Sequence, residues 1–216
     1  MKGVLAAAAP ELRVEFHATQ ALLKAIAAGQ RADVVLLTAE GIDQLAGEGK
    51  VVAASRVELG NSGVGIAVRK GAPKPDISTL DALKRAVLAA ESVAHSRMGA
   101  SGIYFAQLLE RLGIAGQLKR RVIVEKGPVG AAVASGEAAL GAQLLCELAP
   151  VAGIDIVGPL PGEVQRLSHF TGAVISGTKH AAAAQAFLDF LGTAAVQAAM
   201  RENLFTPAPR SPRRRE

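Results

Sequence analysis

Apolar and polar positions alternate in short runs along this chain, and the period of the alternation changes repeatedly. Leu12, Val14 and Phe16 stand between charged or polar neighbours, a period of two that predicts a strand. Gln20 to Ala28 takes the helical period, and Gly29 ends it. The run Ala32 to Thr38, with Val34, Val35, Leu36 and Leu37 in succession, predicts a strand buried on both faces. A short helix over Glu40 to Leu45 and a strand over Gly63 to Arg69 follow. Gly71-Ala72-Pro73-Lys74-Pro75 can continue neither regular element, because proline lacks an N–H and fixes its φ, so this stretch predicts a hinge or crossover.

Beyond that break the alternation resumes. Ser78 followed by Asp81 predicts a capping box for a helix over Thr79 to Ala90, and Ser92 to His95 reads as a short strand. Ser101 is placed to cap a helix over Gly102 to Leu112, with Gly113 as its stop. Val122 to Val124 is the next strand, a short helix runs to Ser135, and Leu140 to Leu145 and Ile154 to Val157 complete a second sheet. Phe170 to Ser176 returns the chain to the first lobe, where helices over Ala181 to Leu191 and Ala194 to Glu202 finish the fold. Helix and strand alternating in this way predict an α/β architecture in two lobes, each a mostly parallel sheet flanked by helices. Residues 1–70 with 171–207 form the first lobe, 71–170 the second, and 208–216 a disordered basic tail.

Composition narrows the chemistry. Aromatic residues are 3 % and tryptophan is absent, which leaves no stacking surface for nucleic-acid bases. The formal charge is +5, but Arg210, Arg213, Arg214, Arg215 and Glu216 supply most of the excess from the tail, leaving the body at about +2. Cys146 is the single cysteine, so no internal disulfide and no cysteine-based metal site can form, and its apolar setting predicts a buried small side chain. No apolar run reaches the roughly 18 residues of a membrane span. The opening Met1-Lys2 with Gly3 to Ala9 imitates a minimal signal peptide, but no small-residue cleavage pattern precedes Pro10-Glu11, and the stretch reads as a helix.

Three strand-to-helix turns are rich in small and hydroxyl residues: Ala18-Thr19, Gly99-Ala100-Ser101-Gly102 and Gly127-Pro128-Val129-Gly130. Each places unpaired backbone N–H groups at the positive end of a helix, where an anion is stabilised, although such residues equally serve as plain helix caps. Arg97, after His95 and Ser96, is placed to pair with an oxyanion through its planar fork, and Asn61-Ser62-Gly63 could add donors. Enzyme signatures are weak. Ser176-Gly177-Thr178-Lys179 has the S-x-x-K spacing of serine acylases without their partner motifs, and Gly60 to Gly65 fits neither the nucleophile elbow nor the phosphate loop.

The ordered segments Ala32 to Thr38, Gly63 to Ile77 and Ala100 to Phe105, with Gly158-Pro159-Leu160-Pro161 and Phe187 to Leu191, resemble the molybdate-binding-like solute receptors of ABC importers over about Met1 to Pro207. The resemblance implies a type II periplasmic-binding-protein fold with two crossovers. It implies a monomer that closes about a hinge on a small anion, molybdate or tungstate or a di- or tricarboxylate. The ligand is held by hydroxyl and backbone donors, without a cofactor, metal or nucleic acid. On this sequence those donors fall at Ala18, Thr19, Ser101, Gly102, Gly127 and Val129, with Arg97 balancing charge and Gln143 beside Leu144, where molybdate receptors carry a tyrosine. The partner implied is the membrane part of an ABC importer, and the location the periplasm. Family members carry a signal peptide and a first strand ahead of a segment like Met1 to Leu5, so Met1 is expected to be an internal methionine or the start of a truncated chain. A cytoplasmic location follows if Met1 is the true start. A related branch resembles aconitate isomerase, for which His17, His95 or Glu147 are candidate bases. A cytoplasmic ligand sensor of the same fold is the third reading.

Overall fold

The computed structural model describes residues 12–209. The opening segment read as a helix and the end of the basic tail lie outside the described residues. The chain divides into two compact units, one running through Asn61 and resuming at His169, the other Ser62–Ser168. The boundary falls inside a long strand, not at the proline-rich stretch 71–75, which lies within the second unit as turn and coil.

The first unit contains helix α1 (Thr19–Ala27), strand β1 (Val34–Thr38), helix α2 (Ala39–Gly47) and the opening of strand β2 (Val57–Arg69). After the second unit the chain returns through β7 (Leu167–Val174), α7 (Ala181–Leu191), α8 (Ala194–Glu202) and the short β8 (Thr206–Pro207). Strand β1 pairs antiparallel with β7, Val34 opposite Val174 and Thr38 opposite Phe170. Leu23 of α1, Val35 and Leu37 of β1, Ile42 and Leu45 of α2, Val51 and Ala173 form its buried cluster. Helix α7 adds Ala184, Leu188 and Leu191, an i, i+4, i+7 stripe that turns one face inward. Gly60 has φ +136, and a Cβ there would come within 2.1 Å of the Thr206 carbonyl oxygen, so the close β2–β8 pairing depends on glycine.

The second unit is built on a sheet ordered β6-β2-β5-β3-β4, with β3 (Val93–Ser96), β4 (Arg121–Val124), β5 (Leu140–Leu144) and β6 (Ile154–Pro159). Strands β4, β3 and β5 are mutually parallel, while β2 runs antiparallel to both β5 and β6. Four helices connect them: α3 (Leu80–Ala89), α4 (Ala100–Arg111), α5 (Val129–Ser135) and the single turn α6 (Leu145–Leu148). Ala94, Val122, Val129, Val133 and Ala138 pack as one cluster against the parallel strands.

Three expectations from the sequence change. Residues 12–18 carry no regular structure, and Leu12, Val14 and Phe16 are 38 %, 41 % and 56 % exposed, because alternation makes a strand only where a neighbouring strand accepts its hydrogen bonds. The sheets are also more mixed than mostly parallel, since the long β2 precedes the helical crossovers and runs against the strands laid down after it. Finally, α3 is capped by Thr79 and not by Ser78: the Thr79 hydroxyl accepts a hydrogen bond from the Ala82 N–H at 3.2 Å. Asp76 accepts from the Ser78 N–H instead.

Replacing Thr79 by alanine is therefore expected to lower stability by about 1 kcal/mol, and Ser78→Ala to change it by under about 0.5 kcal/mol. Urea denaturation of both variants distinguishes the two caps, and equal losses would contradict the assignment.

Candidate functional site

Because β4, β3 and β5 run in one direction, their C-terminal ends share one edge of the second sheet, and the starts of α4, α5 and α6 follow at that edge. Ligand sites in α/β proteins form at such edges, where backbone N–H groups at helix starts have no intrahelical acceptor. Arg97, Ser101, Gly102, Gly127, Val129 and Gln143 all fall on these three strand-to-helix connections. Ala18 and Thr19 open α1 in the first unit, Ala18 as its N-cap residue without a side-chain cap.

Several of these residues have structural duties. Gly99 is the N-cap of α4, so Ser101 does not cap it but lies buried in the first turn, because the helix begins earlier than the hydroxyl suggests. A Cβ on Gly102 would stand 2.1 Å from the Ser96 carbonyl oxygen and 2.4 Å from its hydroxyl, so glycine lets α4 press directly onto the end of β3. Gly127 sits in the left-handed region, φ +82, exposed before Pro128. Val129 turns its side chain into the core, leaving only its backbone to serve a ligand. Leu144, next to Gln143, is likewise buried.

Arg97 is anchored at its backbone, whose N–H donates to the Val124 carbonyl at 3.1 Å, while its Nε donates to Glu125 at 2.6 Å. Both side chains of that pair are more than half exposed, so the bond is weak and an arriving anion competes with Glu125 on near-equal terms. Along the flank of α4 and β4 an open pocket of about 400 Å³ is lined by Ser96, Arg97, Gly102, Gln107 and Arg121. Arg121 was not singled out from the sequence. Its Nε donates to His95 Nε2 at 2.8 Å, and since arginine cannot accept, the other ring nitrogen, Nδ1, carries the hydrogen and donates to the Ser96 carbonyl at 3.1 Å. Burial holds the His95 pKa below its ordinary value, the charges of Arg121 and Arg97 lower it further, and the Ser96 bond opposes them.

Gln143, buried at the end of β5, accepts from the Gly130 N–H at 3.3 Å through Oε1. Its amide N–H₂ is left for other partners, and its interaction with the Glu147 carboxyl on α6 lowers the pKa of that group. Ser62 accepts from the Cys146 N–H at 3.1 Å and fixes the start of α6. The Cys146 thiol is pushed up to about 11 by burial and is inert at neutral pH. Ser176 to Lys179 forms a turn and not a helix, so the S-x-x-K spacing does not bring lysine over serine.

Residues 8–206 match the family model of a bacterial extracellular solute-binding protein. The chain belongs to that family. It is 42 % identical to an aconitate isomerase of a Pseudomonas species over 196 residues, 89 % of this chain and 74 % of that protein. Its fold is that of the periplasmic molybdate-binding protein of Azotobacter vinelandii, with TM-score 0.76 and 19 % identity over 96 % of this chain and 92 % of that one. The sulfate-binding protein of Mycobacterium tuberculosis is similar at TM-score 0.64 and 21 % identity, over 88 % and 74 % of the two chains. The fold is thus the type II periplasmic-binding-protein fold implied by the sequence resemblance.

The His95 environment has a consequence for stability. A histidine whose folded pKa lies below its unfolded value binds fewer protons folded than unfolded, so its contribution is complete above about pH 6.5 and is lost as pH falls through the folded pKa. Relative to the wild type, His95→Gln is expected to lose less stability between pH 7 and pH 5, read by urea denaturation at each pH. Parallel pH profiles would show that His95 carries no such linkage.

Proposed function

We propose that this family member captures a small, multiply charged carboxylate anion, a tricarboxylate of the aconitate kind, outside the cytoplasm. The observation that carries the reading is the 42 % identity with an aconitate isomerase across nearly the whole chain. The three strand-to-helix connections of the second unit support it. Backbone N–H groups at the starts of α4 and α5, around Gly102, Gly127 and Val129, bind one carboxylate, with Ser101 beside them. Arg97 exchanges Glu125 for a second carboxylate, and Gln143 keeps α5 and α6 in register. A ligand with several separated charges uses donors spread along an edge, whereas a tetrahedral oxyanion needs them gathered around one atom. In this reading a monomer delivers the anion to the membrane subunits of an ABC importer, which the solute-binding family supports.

A second reading, conversion of the bound anion and not only its capture, is favoured by the same relative. A bound unsaturated tricarboxylate needs only a base to move its double bond, since the proton leaves one carbon and returns to another.

Thermal denaturation of the chain with cis-aconitate, trans-aconitate, citrate, molybdate, tungstate and sulfate tests the ligand class. A ligand at 100 times its Kd adds about 2.7 kcal/mol, a shift readily measured. Stabilisation by the carboxylates alone is expected. Stabilisation by molybdate and tungstate alone would replace this reading with that of an oxyanion receptor.

A further inference from the structure

Three side chains could serve as the base of such an isomerisation, and the structure treats them differently. His95 has both ring nitrogens engaged, one donating to the Ser96 carbonyl and one accepting from Arg121, and the residue is 3 % exposed. It borders the pocket beside Arg97 and Arg121, but it cannot take a proton from a ligand without losing the Arg121 bond. His17 lies in the irregular segment ahead of α1, its side chain half exposed and 3.7 Å from Glu15. Among the described residues, Glu15 is its ion-pair partner, and both side chains are open to solvent.

Glu147 differs in its place in the fold and in its neighbours. It follows β5 directly, on the one-turn helix α6, so it stands at the sheet edge from which α4 and α5 also start. Its surroundings are fixed by two bonds: Gln143, four residues earlier, is held through Oε1 by the Gly130 N–H, and Ser62 holds the Cys146 N–H next door. The residue is solvent-exposed, so a ligand can reach it, and the neighbouring protein acts on its carboxyl from one side only. Desolvation by the surrounding protein raises its pKa above the ordinary carboxylate range against the lowering effect of Gln143, which brings a carboxylate closer to the strength that proton transfer at neutral pH requires.

We propose that Glu147 is the catalytic base that shuttles the allylic proton of a bound unsaturated tricarboxylate, with Gln143 as its positioning residue. The role rests on the conversion reading above. The Glu147 carboxylate takes a proton from the methylene carbon, breaking that C–H bond and forming O–H. The electron pair spreads through the double bond into the conjugated carboxylate, whose developing charge is met by backbone N–H donors. The carboxylic acid then returns the proton to the former alkene carbon as the double bond moves, restoring the Glu147 carboxylate and changing no oxidation state.

The test uses the full chain with cis- and trans-aconitate, following interconversion and the incorporation of solvent deuterium into the ligand by NMR. With wild-type turnover, Glu147→Gln is expected to lose at least about 100-fold in both, while retaining the aconitate-induced thermal shift. Glu147→Asp is expected to retain part of the rate, and to show folding intact should the glutamine variant lose its thermal shift. Gln143→Leu is expected to lower kcat more than it raises KM and to move the acid limb of the rate profile. Wild-type turnover that survives Glu147→Gln overturns the role of Glu147 alone. Aconitate binding by the wild type with no turnover and no deuterium incorporation overturns the conversion reading and the role of Glu147 with it.

Discussion

In the second unit, β3 is hydrogen-bonded on both sides by strands that run in its own direction. Ala94 pairs with Val122 of β4 and with Gly141 of β5, so the three strands are locked in register at their midpoints. Parallel strands need a crossover between them, and here the crossovers are helices whose N-termini must all begin on the edge where the strands end. The gathering of backbone donors, Arg97 and Glu147 on that edge is therefore a consequence of strand direction. Ser92 keeps the opposite end closed: its carbonyl accepts from the Leu140 N–H and its hydroxyl from the Ala139 N–H. A slip of one residue between β3 and β5 would break both bonds and displace Glu147 from the starts of α4 and α5.

The charges near this edge divide into fixed and exchangeable ones. Backbone N–H dipoles at the helix starts do not titrate and are held by the helices themselves. Arg97 and Arg121 each already have a partner, Glu125 and His95, so the edge is not a field of bare positive charge. Recognition by preorganised neutral donors penalises a ligand of the wrong shape, since a buried donor left without an acceptor costs about 1–3 kcal/mol.

Much of the fold was legible in the sequence where a local period sufficed. The last two helices end at the residues that the spacing of Ala184, Leu188, Leu191 and Val196, Met200 implies, because one face of each meets a core. The turn before Val129 was also legible, since glycine and proline interrupt the apolar run there, whereas the hydroxyl of Ser101 put the start of α4 two residues late. What failed depends on distant partners. The alternation at Leu12 to Phe16 is a sound local pattern with no strand paired to it. Ser78 and Thr79 are both acceptable caps by type, and only the backbone geometry selects Thr79. Gln165, whose side chain accepts from the Val64 N–H and donates to its carbonyl, is 101 residues away from its partner and carries no signal in either neighbourhood. Gly102 is the instructive case: its type suggested an anion's approach, and the packing of Ser96 already accounts for it.

The discontinuity of the first unit bears on how the chain is made. Synthesis delivers residues 34–38 early, but the strand that pairs with them, β7, emerges only after the whole second unit has left the ribosome. The second unit is contiguous and has its own sheet and core, so nothing in its connectivity obliges it to wait. During that interval Val34 to Leu37, an apolar β-forming run, lacks its β7 partner and is a template for wrong pairing. The order of the elements along the gene thus leaves early β1 without its β7 partner until the remainder of the chain is completed.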